Sequence, residues 1–244
     1  MDFKPSVFFE ALTSPAFIAG VQVTVSLTVV AMAFGLALGL LIAILRGSPW
    51  APVRTAAWAY IWIFRAIPTL VQLLFVWDGL PQLFPALRGD WFSAFLAASI
   101  ALSMNEAAYA AEIFRGGLLS IDEGQRLAAR ALGMPPVKVF TKVIAPQLIR
   151  VTIPPLSNDF ITMLKITSLA SVISLQELLS RTQTLVASTF RFVEYYSAAA
   201  LYYLVVVSIF MIIQAQIERR FVWMSRPSAG GSALGRVRQL ATLR

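Results

Sequence analysis

The 244-residue chain is 58% hydrophobic and 13% charged, with a mean hydropathy of +0.75; a soluble domain is roughly 45–50% apolar and about 25% charged. It reads as an all-α integral membrane protein with a single membrane domain over residues 1–220. Cysteine and histidine are absent, which excludes a disulfide framework, a Cys/His metal site and a histidine proton relay.

A membrane-crossing helix needs about 20 apolar residues. The N-terminus carries Asp2 and Glu10 where a cleavable signal would be basic, so the first apolar run is expected to stay in the protein. Five spans are expected: Ala19–Leu45, Ala56–Val76, Trp91–Ile113, Leu156–Leu175 and Tyr195–Ile217. The third and fourth carry charged residues and stand out least in hydropathy. Lys4, Arg88, Arg181 and Arg191 fall on one side, whereas Arg46, Arg54, Arg115 and the basic residues of 120–150 and of the C-terminal end fall on the other. This asymmetry predicts the N-terminus outside and the C-terminus in the cytoplasm. The formal charge of +8 thus follows the membrane and points to lipid, not nucleic acid. Residues 221–244 read as a basic, flexible cytoplasmic tail.

On the first span, Gly35 and Gly39 form a small-xxx-small face suited to close helix packing. On the second, Arg65 precedes Pro68, which is expected to kink the helix or free a carbonyl. Arg65 then either meets a carboxylate or packs and snorkels. Glu112 and Arg115 read as an interfacial pair or subunit contact at the end of the third span.

Between the third and fourth spans lies a polar insert, Ser120–Lys142. Its S-x-x-E start reads as a capping box, with Ser120 capping a helix from Ile121. Leu127, Ala128, Ala131 and Leu132 make an apolar stripe at helical spacing, and Gly133 stands where a left-handed stop belongs. Pro135 and Pro136 begin a second segment that Pro146 and the Pro154–Pro155 pair are expected to interrupt. From spacing alone the insert is either a dock for a soluble partner or a helix lying on lipid.

Arg65, Glu106, Asp159 and Lys165 are the ionisable residues nearest the hydrocarbon. Such groups face a partner or a wet cavity. Asn158, Thr162 and Lys165 share one face of the fourth span, and Asp159, Met163 and Ile166 the adjacent one. If the chain carries a substrate across the membrane, its pathway is expected along Asn158, Asp159, Thr162 and Lys165, with Asp159 facing a positively charged group. Arg65 and Glu106 stand as pathway or structural residues. The alternative for Asp159 is a structural pair with Lys165 or another helix.

The run from Ala107 to Leu179 resembles the permease subunits of bacterial ATP-binding-cassette importers for polar amino acids. The matching pieces are AYAAEIFRGGLLSI (Ala108–Ile121), GQ..AA.ALGM (Gly124–Met134), PQLIR...PPLSNDFI..LK.TSL (Pro146–Leu169) and ELL (Glu177–Leu179). FRAIPTLVQL (Phe64–Leu73) is similar to the family's R-x-x-P-x-x-x-Q segment, and the start at Gly20–Thr28 and the run Phe190–Leu204 also fit. The resemblance implies five transmembrane helices and a cytoplasmic coupling helix that docks on an ATPase, here Gln125, Leu127, Ala128, Ala129, Leu132 and Gly133. The family's usual glutamate is Leu127 in this chain, so a salt bridge from that position is not expected. Members often carry acids at the positions of both Asp159 and Ile166, which serve a basic substrate; Ile166 removes one and makes a basic cargo less expected. The implied partners are ATPase subunits, a second permease subunit (identical or homologous) and an extracytoplasmic amino-acid-binding protein. No cofactor is expected on this chain. It lacks a G-x-x-x-x-G-K-[ST] phosphate loop, so ATP and magnesium belong to the partner ATPase. The implied location is the bacterial inner membrane. The competing functions are an ion-coupled secondary transporter using intramembrane acids and a scaffold with no transport role.

Overall fold

The structure, a computed structural model, describes residues 3–222, with side chains through 220. Nine helices and no strands make up the described residues: α1 (Pro5–Thr13), α2 (Pro15–Arg46), α3 (Ala51–Ala66), α4 (Thr69–Leu83), α5 (Ala94–Leu119), α6 (Glu123–Ala131), α7 (Pro136–Ile173), α8 (Leu178–Thr189) and α9 (Phe192–Val222). A 3₁₀ turn, Pro85–Arg88, links α4 to α5. The expected tail lies outside the described residues, apart from the helical backbone of 221–222.

Two helices, Pro15–Arg46 and Phe192–Arg220, are each long and apolar enough to cross a membrane. The bent pairs α3–α4 (105°) and α7–α8 (49°) also qualify when each pair is taken together. The central helix α5 is long enough at 26 residues, about 39 Å at 1.5 Å per residue. Its apolar character is diluted by Ser99, Ser103, Asn105 and Glu106, all of them buried inside the bundle. Polar residues are tolerated there because this face meets protein, not lipid.

α5 is the hub. Ser93 caps its start by accepting from the Leu96 N–H at 3.2 Å. Its inward face is mostly alanine, with Ala97, Ala98, Ala101, Ala107, Ala108, Ala110 and Ala111 almost fully buried. α2 lies against that face through Gly35 and Gly39. A Cβ at Gly35 would meet Glu106 Cγ at 2.6 Å, and one at Gly39 would meet Ala110 Cβ at 2.7 Å and the Ala107 carbonyl oxygen at 2.9 Å. The small-xxx-small reading is thus a packing contact, as expected.

The kink expected at Pro68 is present as a full break, the two helical parts of the second span meeting at 105°. α3 stops at Ala66, Ile67 is extended, and the chain restarts as α4 at Thr69. Pro68 cannot donate to the helical ladder, and it disfavours a helical conformation in the residue before it. Pro154 and Pro155, expected to interrupt the segment that Pro135 and Pro136 begin, instead lie inside a continuous helical stretch, Ala145–Ile166. Two ladder bonds are missing there, but the buried flanks Leu148, Thr152, Ile161, Met163 and Leu164 hold the helix in place. Pro146 follows a π-helical turn, Phe140–Ile144, whose wider winding accommodates the ring without a break.

The short helices α1 and α8 were not anticipated. Glu194 ties α1 to α9 by accepting from the Lys4 backbone N–H (3.0 Å) and from Arg191 (2.9 Å). The Tyr202 hydroxyl donates to the Leu12 carbonyl at 2.7 Å. The fully buried Glu177 caps α8. It accepts from the Leu179 and Ser180 N–H groups at 2.8 and 2.6 Å and from the Tyr203 hydroxyl at 3.1 Å. These bonds satisfy donors that would otherwise be orphaned at the helix start.

Candidate functional site

The break at Pro68 creates the site. In an unbroken helix the Phe64 carbonyl would accept from residue 68, and proline has no N–H to give. The Gln72 side-chain amide donates to the Phe64 carbonyl at 2.9 Å and to the Ile67 carbonyl at 2.8 Å. Asn105 of α5 donates to the same Phe64 carbonyl and to Gln72 Oε1, both at 3.2 Å. Proline and glutamine in R-x-x-P-x-x-x-Q therefore act together: one opens the ladder and the other, four residues on, closes the exposed carbonyls. The freed carbonyl is as the sequence led us to expect; its partners Gln72 and Asn105 were not singled out. The four-residue spacing from Pro68 to Gln72 was the available signal.

Beside this break lies a cavity of about 160 Å³ lined by Thr69, Asn105, Glu106, Tyr109, Asp159, Thr162, Met163 and Ile166. Three elements meet there: the start of α4, the middle of α5 and the middle of α7. Glu106 is 4% exposed, and both its Oε1 and Asp159 Oδ2 are buried without a hydrogen-bond partner. Buried acceptors without a partner are costly, and both of these belong to acids on the wall of one cavity. The Thr162 hydroxyl donates to the Asn158 carbonyl at 3.1 Å, leaving its lone pairs available. Met163 and Ile166 add an apolar wall.

The expected pathway residues divide. Asp159, Thr162 and Glu106 come together in this cavity, whereas Asn158 and Lys165 are exposed and do not line it. Among the described residues the ion pairs are Arg115–Glu112 (3.7 Å) and Arg191–Glu194 (2.9 Å), so Asp159 and Lys165 are not paired with each other. Arg65 meets no carboxylate in an ion pair; its guanidinium lies over the Tyr109 ring, 5.3 Å from the centroid.

The polar insert forms a second structured feature. Its helix, α6, begins at Glu123, with Asp122 as the cap, accepting from the Gly124 N–H at 2.6 Å. Ser120 does not cap it: this residue ends α5, and its hydroxyl donates to the Gly117 carbonyl. The chain bends too soon after α5 for Ser120 to serve both helices, and aspartate is an equally good cap. Gly133 adopts φ 75°, the left-handed stop expected. Ala129 turns inward against Ile121, Val139, Ile144 and Leu148. Gln125 accepts from the Gln147 amide at 2.6 Å, bracing α6 on α7. Ala128 is exposed, and Leu127 (58%) and Leu132 (83%) present apolar side chains to the outside.

Residues 35–223 match the family model described as "Binding-protein-dependent transport system inner membrane component". The chain belongs to this family. Among curated relatives, the probable amino-acid permease protein YxeN of Bacillus subtilis is 37% identical, covering 87% of this chain and 93% of that protein. The glutamine transport system permease protein GlnP of Escherichia coli is 36% identical, covering 90% and 98%. In three dimensions the chain is similar to an amino acid ABC transporter crystallised with histidines, at TM-score 0.82 and 36% identity over 90% of this chain and all of that one. The MetNI methionine ABC transporter shares the fold at TM-score 0.69 and 20% identity. As a family member the protein is an inner-membrane permease, the transport component that sits in the bilayer. The relatives are themselves named as permease proteins of amino-acid transport.

Proposed function

We propose that this chain is the membrane-spanning subunit of an ATP-driven importer for a polar amino acid. The observation that carries the reading is the cavity at the broken helix, where Glu106 and Asp159 leave buried carboxylate oxygens open. An α-ammonium carries three N–H donors and one positive charge, so it can bond both acids at once and relieve their mutual repulsion. Thr69, Asn105 and Thr162 supply polar contacts for the rest of a zwitterion. Ile166 stands where relatives often carry a second acid on the same helix; Glu106, which the sequence left as a pathway or structural residue, lines the same cavity from a different helix. Relatives are named as glutamine, arginine and octopine permeases, which supports an amino acid or close derivative as cargo. Family membership disfavours the ion-coupled alternative.

The five spans of this reading are α2, the bent pair α3–α4, α5, α7 and α9, with the N-terminus outside. α6 is the coupling helix. Leu127, Ala128 and Leu132 form its contact face, with Gln125, Ala129 and Gly133 fixing its pose. The ATPase that docks there holds ATP and magnesium. A second permease subunit completes the assembly, and an extracytoplasmic binding protein delivers the cargo. Closure of the two ATPases then moves α6 and α7 as a unit and switches access to the cavity.

Co-purification tests the coupling face. The wild-type chain is expected to carry a stoichiometric ATPase subunit. Ala128→Glu puts a charge into an apolar contact, and Gly133→Glu also forces a side-chain residue to φ 75°, which costs about 1–2 kcal/mol. Both variants are expected to insert normally and to lose the ATPase. Wild-type ATPase association and uptake in both would remove the docking assignment.

A further inference from the structure

Tyr109 lines two spaces. One is the acid cavity of about 160 Å³; the other is a groove of about 500 Å³ whose wall includes Arg46, Trp58, Trp62, Arg65, Glu112 and Arg115. The two spaces have opposite chemistry. The cavity holds two open carboxylates, whereas the groove holds three guanidiniums and a single acid, Glu112, which already faces Arg115 at 3.7 Å. Arg46 brings a buried Nε with no partner. Tyr109 itself is 40% exposed, and the Arg65 guanidinium lies over its ring, 5.3 Å from the centroid.

We infer that Tyr109, pinned by Arg65, is the gate between the acid cavity and the arginine groove, and that the groove is the exit vestibule taking the carboxylate end of the departing zwitterion. Direction rests on the proposed import function: α3 starts near Arg46 and Gly47, on the side assigned to the cytoplasm, and runs toward the break at Pro68. Arg65 lies in the last turn of α3, at the edge of the 105° bend. A small rotation of α3 about Ile67–Pro68 therefore carries the guanidinium off the ring and releases Tyr109. Hinges of this kind are built from a few element-terminal residues. Once Tyr109 swings aside, the ammonium leaves two carboxylates while the carboxylate gains Arg46 and Arg65. Exit is thus drawn by charge on the zwitterion's other end.

The chain has no native cysteine, which makes the gate measurable by thiol accessibility. Thr162→Cys is introduced as a reporter in the cavity, and Thr141→Cys as a control on the exposed surface next to α6. The intact transporter in inside-out membrane vesicles is treated with a membrane-impermeant sulfonated maleimide, and modification of this chain is followed by mass. The Thr141→Cys control is expected to react fast in every background. The Thr162→Cys reporter is expected to react slowly with Tyr109 present and about 3- to 30-fold faster with Tyr109→Ala or Arg65→Ala, the shift expected for loss of one cation–π contact. Tyr109→Phe keeps the ring and is expected to match the parent. Arg65 is exposed, so its variant keeps the test open should Tyr109→Ala fold poorly. Unchanged reporter rates in both alanine variants, with a fast control, would overturn the gate. A control that reacts only from the opposite face would overturn the orientation instead.

Discussion

Replacing Asp159 with asparagine is expected to raise the KM for amino-acid uptake by about 10- to 100-fold in a transporter that still assembles with its ATPase. The charge-assisted bond lost is worth about 1.5–3 kcal/mol, and each 1.4 kcal/mol is tenfold. Glu106→Gln is expected to act in the same direction, because both carboxylates face one cavity with open oxygens. The two effects should be less than additive, since a single ammonium serves both acids. Lys165→Gln supplies the contrast: Lys165 is exposed and does not line the cavity, so its KM should stay near wild type. Radiolabelled uptake across a concentration series reads all three. Wild-type affinity in Asp159→Asn would separate the acid pair from the cargo.

The second large effect is structural. Gly39→Leu is expected to abolish recovery of folded protein from membranes. A Cβ at this position would lie 2.9 Å from the Ala107 carbonyl oxygen and 2.7 Å from Ala110 Cβ. Neither is the end of a flexible side chain that can step aside. Overpacking of this kind costs about 1–3 kcal/mol or more, and it falls on the contact between α2 and the central helix. Gly116→Ala is the matched control, because nothing lies within 4 Å of a Cβ there; alanine at that helical site is expected to be neutral or to stabilise by roughly 0.5–1 kcal/mol. Size-exclusion profiles in mild detergent distinguish the two. A monodisperse Gly39→Leu protein at wild-type yield would contradict the packing account.

What could be read from residues alone follows the range of each interaction. Long apolar runs located α2 and α9 because a lipid-facing helix needs uniform hydropathy. The left-handed stop at Gly133 was visible because it is a local backbone requirement. The cap of α6 was misassigned by two residues because Ser120 and Asp122 are both competent caps, and only the path of α5 decides between them. Pro68 and the proline pair Pro154–Pro155 carry the same local rule with opposite outcomes. The first breaks its helix, where Gln72 and Asn105 replace the lost bonds; the second is carried through by buried flanks. Those partners come from distant parts of the chain, so spacing does not reveal them. The acid cavity is legible for the same reason only in part: Asp159 shares a helix face with the apolar wall and Thr162 lies on the adjacent one, but that Glu106 and Tyr109 join them from α5 across the bundle is set by packing.

Energy coupling is the most direct test of the whole reading. The chain is reconstituted in proteoliposomes with its ATPase and binding protein, and uptake is measured with ATP inside and no ion gradient, then with an imposed proton or sodium gradient and no ATP. The account predicts uptake that requires ATP and is unaffected by collapse of the gradient. Uptake that persists without ATP and follows the ion gradient would contradict it and return Glu106 and Asp159 to the role of ion-coupling acids.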